Sequence, residues 1–251
     1  MIQRNDTTHN SKFKTQSSEL RRVSGLLVTG TDTGVGKTRI CGFLAGYLHR
    51  HGVRVVTQKW VQTGCAEQAE DLLAQQELGA FDADPALAAW RNPYCFPLPA
   101  SPHLAAEEAG REIESARITV AYRELAARHE LVIVEGAGGL LVPLRRHLLL
   151  ADLAGELGLS ALLVVRNGLG CVNHALLTIE ALRQRNMPLL GVIFNRITGE
   201  GDERILRDNP RIIAEISGVT VLGELPYGAS APDFAPIGEA FMARWQELIH
   251  V

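Results

Sequence analysis

What the chain lacks narrows its class. It has no charge excess of one sign: 25 Lys and Arg stand against 28 Asp and Glu, for a formal net charge of -3. A sequence-independent nucleic-acid binder needs a basic surplus to neutralise phosphates, so no nucleic-acid partner is expected. No stretch approaches the roughly 18 apolar residues of a membrane-spanning helix, so no membrane partner is expected either. The four cysteines, Cys41, Cys65, Cys95 and Cys171, show neither CxxC spacing nor the framework of a small disulfide-rich domain. Reduced thiols and a cytoplasmic location follow as expectations. The histidines are scattered without HxxxH-type spacing, which argues against a dedicated zinc site. Low hydrophobicity is absent as well: 46 % of the 251 residues are hydrophobic, which excludes disorder over most of the length.

Met1–Ser24 stands apart as a polar stretch, read as a flexible leader. The run Leu26–Val28 behind Arg21 and Arg22 is too short for a signal-peptide core, and Asp6 and Glu19 argue against a transit peptide. Residues 25–251 predict a single domain. Apolar runs at Leu26–Thr29, Leu131–Val134, Ala161–Val165, Leu189–Phe194 and Val219–Leu225 read as strands covered on both faces, and Val53–Gln58, rich in β-branched residues, as the second strand in order. Helical segments fall between them at about Lys37–His51, Ile118–Arg128, Asn173–Arg185, Glu203–Ser217 and Glu239–Ile249. The last carries Phe241, Trp245, Leu248 and Ile249 on one face and reads as a packing helix. Phe81–His103, with five prolines, predicts a long ordered loop. Strands alternating with helices imply an α/β fold, a single doubly wound and mainly parallel sheet flanked by helices. Ligands of such sheets sit beyond the carboxyl ends of the strands.

The residues at those ends carry the chemistry. Behind the first strand, Gly30-Thr31-Asp32-Thr33-Gly34-Val35-Gly36-Lys37-Thr38 ends as a phosphate-binding loop opening a helix, with Thr31 where the usual first glycine stands. Backbone N–H groups and the positive helix end receive phosphate oxygens. Lys37 adds a cation, and the Thr38 hydroxyl is a ligand for Mg²⁺. This places the fold with the P-loop NTPases and predicts a nucleoside triphosphate and Mg²⁺ as cofactors. Lys59 ends the second strand, where a cation faces a γ-phosphate in transfer; a plain surface lysine is the bland alternative. Asp71 lies in a helical stretch, Glu67–Leu78, with four carboxylates, and reads either as a metal ligand or as part of a solvated face. Glu135 closes the third strand as a Walker B-like carboxylate before Gly136-Ala137-Gly138-Gly139. Gly170, Cys171, Val172 and Asn173 open a helix and suit an anion; Cys171 there is also a candidate low-pKa thiol, though no oriented triad accompanies it. Asn195 and Arg196 end the fifth strand, where an amide reads an adenine edge, and Pro226, Tyr227 and Gly228 follow the sixth beside the base.

The ordered set GTDTGVGKT (Gly30–Thr38), KWVQTG (Lys59–Gly64), NPYCFPLPASPHLAA (Asn92–Ala106), VEGAGGLLVPL (Val134–Leu144), LGCVNHALLT (Leu169–Thr178), Asn195 and GELPY (Gly223–Tyr227) resembles the dethiobiotin synthetases, ATP-dependent ligases of biotin biosynthesis. The resemblance implies closure of a cyclic urea from 7,8-diaminononanoate and CO2, through a carbamate and its phosphorylated mixed anhydride. It implies Lys59 and Lys37 as catalytic residues, with Thr38, Asp71 and Glu135 holding Mg²⁺. Thr33, Gly34, Val35, Gly36, Lys37, Thr38, Arg39, Asp71, Glu135, Gly136, Ala137, Gly138, Asn195, Arg196, Pro226, Tyr227 and Gly228 fall in its nucleotide-contacting segments, and Asp233 near the nucleoside. Thr63 corresponds to a residue touching the diamine. Gly170–Asn173 corresponds to a segment that reaches the substrate of the neighbouring subunit, which implies a homodimer with its substrate site at the interface. Trp60 stands where the family has a proline and is expected as an aromatic near the substrate. A partitioning or septum-positioning ATPase of the same fold carries a signature lysine where this chain has Asp32, and an amidating ligase needs a glutaminase domain for which the chain is too short.

Overall fold

Strands covered on both faces have no solvent side on which to display polar residues, and here the six runs all enter one sheet. The computed structural model describes residues 25–65 and 68–249, so the leader expected over 1–24 lies outside the described residues. In chain order the elements are β1 (Gly25–Gly30), α1 (Lys37–Arg50), β2 (Val55–Lys59), β3 (Val61–Thr63), α2 (Glu70–Gly79), α3 (Ala88–Arg91), β4 (Tyr94–Phe96), α4 (Pro102–Glu108), α5 (Ser115–Ala126), β5 (Leu131–Glu135), β6 (Pro143–Arg145), β7 (Leu148–Leu149), α6 (Leu150–Glu156), β8 (Ser160–Arg166), α7 (Cys171–Gln184), β9 (Leu189–Asn195), α8 (Glu203–Ser217), β10 (Val221–Leu225) and α9 (Ala235–Ile249).

The main sheet runs β10-β9-β8-β1-β5-β2, and every neighbouring pair is parallel. Alternation along β1 feeds two layers. Leu26 and Val28 pack with Ile40, Leu44, Phe241 and Trp245 of α1 and α9, whereas Leu27 packs with Ile118, Leu125 and Leu153 of α5 and α6. A third cluster joins Leu163 and Val165 of β8 to Ile179 of α7 and Ile213 of α8. The helix α9 is thus a packing element, with Phe241 and Trp245 buried; the side chains of Leu248 and Ile249 lie outside the described residues. No helix among the described residues is long and apolar enough to cross a membrane. The winding reverses at β1, which lies between β8 and β5, and this opens a crevice at its carboxyl end.

Two expectations are corrected here. Phe81–His103 is a series of short elements rather than a loop: a 3-10 turn at Pro85–Leu87, then α3, β4 and the start of α4. Pro85 and Pro102 sit in first turns, where a missing N–H costs no hydrogen bond. The four thiols are not all free either. Cys65 and Cys95 are joined as a disulfide with Cα atoms 6.3 Å apart, while Cys41 and Cys171 remain free and buried. The parallel pairing of β3 with β4, Thr63 against Phe96, brings the two cysteines together across 30 residues, a distance over which spacing carries no signal.

Candidate active site

The loop after β1 turns on two glycines in the left-handed region, Gly34 at φ 72° and Gly36 at φ 97°. Gly36 has a second constraint: a Cβ there would lie 2.0 Å from Asn195 Nδ2. The loop delivers Lys37 and Thr38 to the first turn of α1. Lys37 is buried and its Nζ donates to the Asp32 carbonyl at 3.0 Å. Burial pulls its pKa below the ordinary lysine value, with the negative charge of Glu135 opposing that shift in part. Polyanionic oxygens arriving at this loop would relieve the desolvated ammonium.

Lys59 and Glu135 end adjacent strands and are register partners, so both side chains emerge at one edge of the sheet. Lys59 Nζ lies 2.8 Å from Glu135 Oε1 and 2.7 Å from Asp71 Oδ2, which α2 supplies. Thr38 Oγ1 lies 3.0 Å from Glu135 Oε1 and 3.2 Å from Asp71 Oδ1. Asp71 therefore faces the centre and not solvent. Burial works against the charged form of Lys59, but the two carboxylates outweigh it and hold the pKa above the usual lysine value. Burial also opposes the Asp71 anion, and Lys59 reverses the balance to hold that carboxyl low. The hydroxyl and two carboxylates are hard oxygen donors, which fits Mg²⁺ completed by phosphate oxygens. No cluster of three or more His, Cys, Asp or Glu forms an all-protein cage among the described residues. Lys37, Thr38, Lys59, Thr63, Asp71 and Glu135 share one cavity of about 680 Å³.

Other expected residues sit elsewhere. Trp60 is 1 % exposed and faces away from this cavity into the apolar layer, its Nε1 donating to Gln58 Oε1 at 3.0 Å. Successive residues of extended chain point to opposite sides, so Lys59 in the site sends Trp60 into the core, which corrects its expected place near the substrate. Arg39 donates to the Ala229 carbonyl and lies over the Phe43 ring, which ties α1 to the loop after β10. Arg196 is engaged by Glu224 and by Glu203 at 2.7 Å, so it braces the fold beside the site. Asp233 accepts from the Ser230 N–H and hydroxyl at 2.8 Å each. Asn195 remains aimed at the P-loop: its Nδ2 donates to the Val35 carbonyl at 2.9 Å, and its buried Oδ1 has no partner among the described residues. Leu225 pairs with Asn195, which places Pro226–Gly228 beside it, with Tyr227 exposed. The Gly170–Asn173 segment does not join the Lys59 cavity. Cys171 lines an adjoining one of about 590 Å³ with Asp32, His174 and Thr33, the last of which also lines the Lys59 cavity. Burial raises the Cys171 thiol pKa despite backbone N–H groups that lower it, so the activated-thiol reading is not supported.

A family model described as an AAA domain matches residues 24–231. The ATP-dependent dethiobiotin synthetase BioD of Anaeromyxobacter dehalogenans strain 2CP-C is 43 % identical over 215 residues, 85 % of this chain and 93 % of the relative. That of Chlorobaculum tepidum is 40 % identical over 212 residues, 84 % of this chain and 88 % of the relative. The chain belongs to the ATP-dependent dethiobiotin synthetase family. Among solved structures, the MinC:MinD cell division complex of Aquifex aeolicus matches with a TM-score of 0.52 at 16 % identity, covering 91 % of this chain and 96 % of that one. A ParA family ATPase from Chlorobium tepidum TLS matches at 0.51 and 14 % identity, covering 90 % and 97 %. These two likenesses concern the fold alone.

Two positions of this dethiobiotin synthetase family member escaped the sequence reading. Gln75 sends its Nε2 to Glu135 Oε2, and Asn92 Nδ2 donates to the Lys59 carbonyl at 2.8 Å, securing the end of β2. Gln75 lies four residues beyond Asp71 on the same helical face, and that spacing was the available signal. Asn92 opens the Asn92–Ala106 motif, but nothing in that motif announced its role, because its partner is a backbone atom 33 residues away.

Proposed function

We propose that the chain joins CO2 to 7,8-diaminononanoate in biotin biosynthesis, closing a cyclic urea while ATP becomes ADP and phosphate. The observation that carries the reading is Lys59, a second buried lysine beside the P-loop, held as a cation between Asp71 and Glu135. One amine of the diamine adds to CO2 and loses a proton, giving a carbamate anion whose charge Lys59 and Lys37 stabilise. Carbamate oxygen takes the γ-phosphoryl group as ADP leaves. The second amine attacks the carbonyl carbon of the mixed anhydride, phosphate departs, and the ring closes. Thr63, in the same cavity, contacts the diamine.

Thr33 and Gly34–Thr38 cradle the phosphates, with Gly136–Gly138 approaching from β5. Thr38, Asp71 and Glu135 hold Mg²⁺, which supplies neutralisation of the phosphate charge. The orphaned Asn195 Oδ1 is an acceptor suited to the exocyclic amine of adenine, with Pro226–Gly228 alongside the base. The segment Gly170–Asn173 serves the diamine's carboxylate in the neighbouring subunit of a homodimer. Its separation from the Lys59 cavity within one chain and the exposure of Leu169 (93 %) support that arrangement. The cytoplasm, where ATP is abundant, is the proposed location; the Cys65–Cys95 disulfide removes the thiol argument for it.

The test is ADP release by the purified protein with Mg-ATP and bicarbonate, with and without 7,8-diaminononanoate, alongside product mass. Diamine-dependent release with a cyclic urea product is expected. Release indifferent to the diamine would point instead to a switch ATPase on this fold.

A further inference from the structure

Glu135 carries two oxygens with different surroundings. Oε1 faces Thr38 and Lys59 in the cavity, whereas Oε2 accepts a hydrogen bond from the Gln75 carboxamide. Gln75 is fully buried, and its own Oε1 has no partner among the described residues. An unpartnered buried carbonyl oxygen is unfavourable, by about 1–3 kcal/mol in general. A methionine or leucine would fill the same space without that cost, so packing does not account for the residue; its donor does. The position of the amide is set firmly. Where α1 packs on α2, a Cβ on Gly42 would lie 2.9 Å from the Gln75 backbone oxygen. One residue on, Gln76 Oε1 accepts from the buried Arg91 at 3.0 Å.

We propose that Gln75 is a positioning residue that sets metal selectivity by occupying Oε2, so that only Oε1 of Glu135, the oxygen shared with Thr38 and Lys59, faces a divalent cation. This rests on the reading of Glu135 as a metal-holding group. Mg²⁺ is small, keeps most of its waters and is served by single oxygens of one or two carboxylates. Ca²⁺ takes more ligands and readily uses both oxygens of one carboxylate. A carboxylate with one oxygen engaged therefore disfavours Ca²⁺ more than Mg²⁺.

The experiment measures Mg²⁺ and Ca²⁺ dissociation constants of the full-length protein with saturating ADP, by displacement of Mn²⁺ followed by electron paramagnetic resonance. Gln75→Met keeps the volume and removes the donor; it should narrow the preference for Mg²⁺ over Ca²⁺ about tenfold, chiefly by tightening Ca²⁺, in line with the effect of outer-shell partners. Gln75→Leu also removes the donor without adding charge, should tighten Ca²⁺ as well and serves if the methionine variant does not fold. Thermal unfolding is recorded for each. A lower melting temperature with an unchanged Mg²⁺ to Ca²⁺ ratio overturns the proposal and leaves Gln75 a packing residue. Glu135→Gln separates the two levels: if it weakens Mg²⁺ binding, the metal reading stands whatever Gln75 does. If it changes neither ion's affinity, the metal reading fails and the selectivity role fails with it.

Discussion

At the phosphate end of the site, Thr38, Lys59, Asp71 and Glu135 come from four different elements and meet at distances of 2.7–3.2 Å, with Lys59 and Glu135 nearly excluded from solvent. At the α7 end, Gly170–Asn173 opens toward solvent beside an almost fully exposed Leu169 and meets none of those groups. The first region is complete within one chain, and its charges are mutually compensated before any ligand arrives. The second offers backbone donors and nothing of its own to bind with them. On the proposed function, a site divided in this way would assign the transfer chemistry to one chain and recognition of the substrate's far end to a surface that another copy could reach.

The largest effect that sharpens this contrast is expected at Lys59. Lys59→Gln should lower turnover by about 10³-fold, the order seen when a preorganised stabilising group is removed, while the ATP dissociation constant changes little. Steady-state ADP release together with nucleotide titration checks this; a variant of normal turnover would remove Lys59 from the chemistry. Division of the site between copies is tested by co-expressing Lys59→Gln with Gly170→Val, which strains a glycine at φ 90°. Each variant alone should be nearly inactive, and random pairing should restore about a quarter of wild-type activity, because one site of each mixed dimer is intact. Failure to recover any activity would place both groups in the same chain's site.

Smaller effects probe the borders of the two regions. Asn195→Leu should raise the KM for ATP about tenfold with kcat retained, since binding of the base is lost equally in ground and transition states; a fall in kcat alone would contradict that role. Trp60→Phe should reduce unfolding free energy by about 1 kcal/mol through loss of the bond to Gln58, with KM for the diamine unchanged. Urea denaturation and substrate titration report the two quantities separately.

Much of the phosphate end was legible in the chain because its parts are local. The P-loop lies between one strand and one helix, and Lys59 and Glu135 each close a run read as a strand, so a parallel sheet carries them to the same edge. Asp71 was half legible: its spacing placed it on a helix with other carboxylates, but only packing of α2 against α1 shows which of them faces inward. Gln75 was missed for the same reason. Arg39 and Arg196 carried the right charge in the right segments, yet Ala229, Glu203 and Glu224 engage them, and no local pattern announces such partners.

By itself the sequence determined the six strands, most of the helices between them and the residues at their carboxyl ends, because hydrophobic periodicity and turn chemistry act over a few residues; α6, between β5 and β8, was not among them. Tertiary structure alone decided the pairing of β3 with β4, the Cys65–Cys95 link, the inward turn of Trp60 and the side-chain partners of Glu135. Those depend on contacts between segments tens of residues apart, where the free energy of packing and not local preference selects the neighbour.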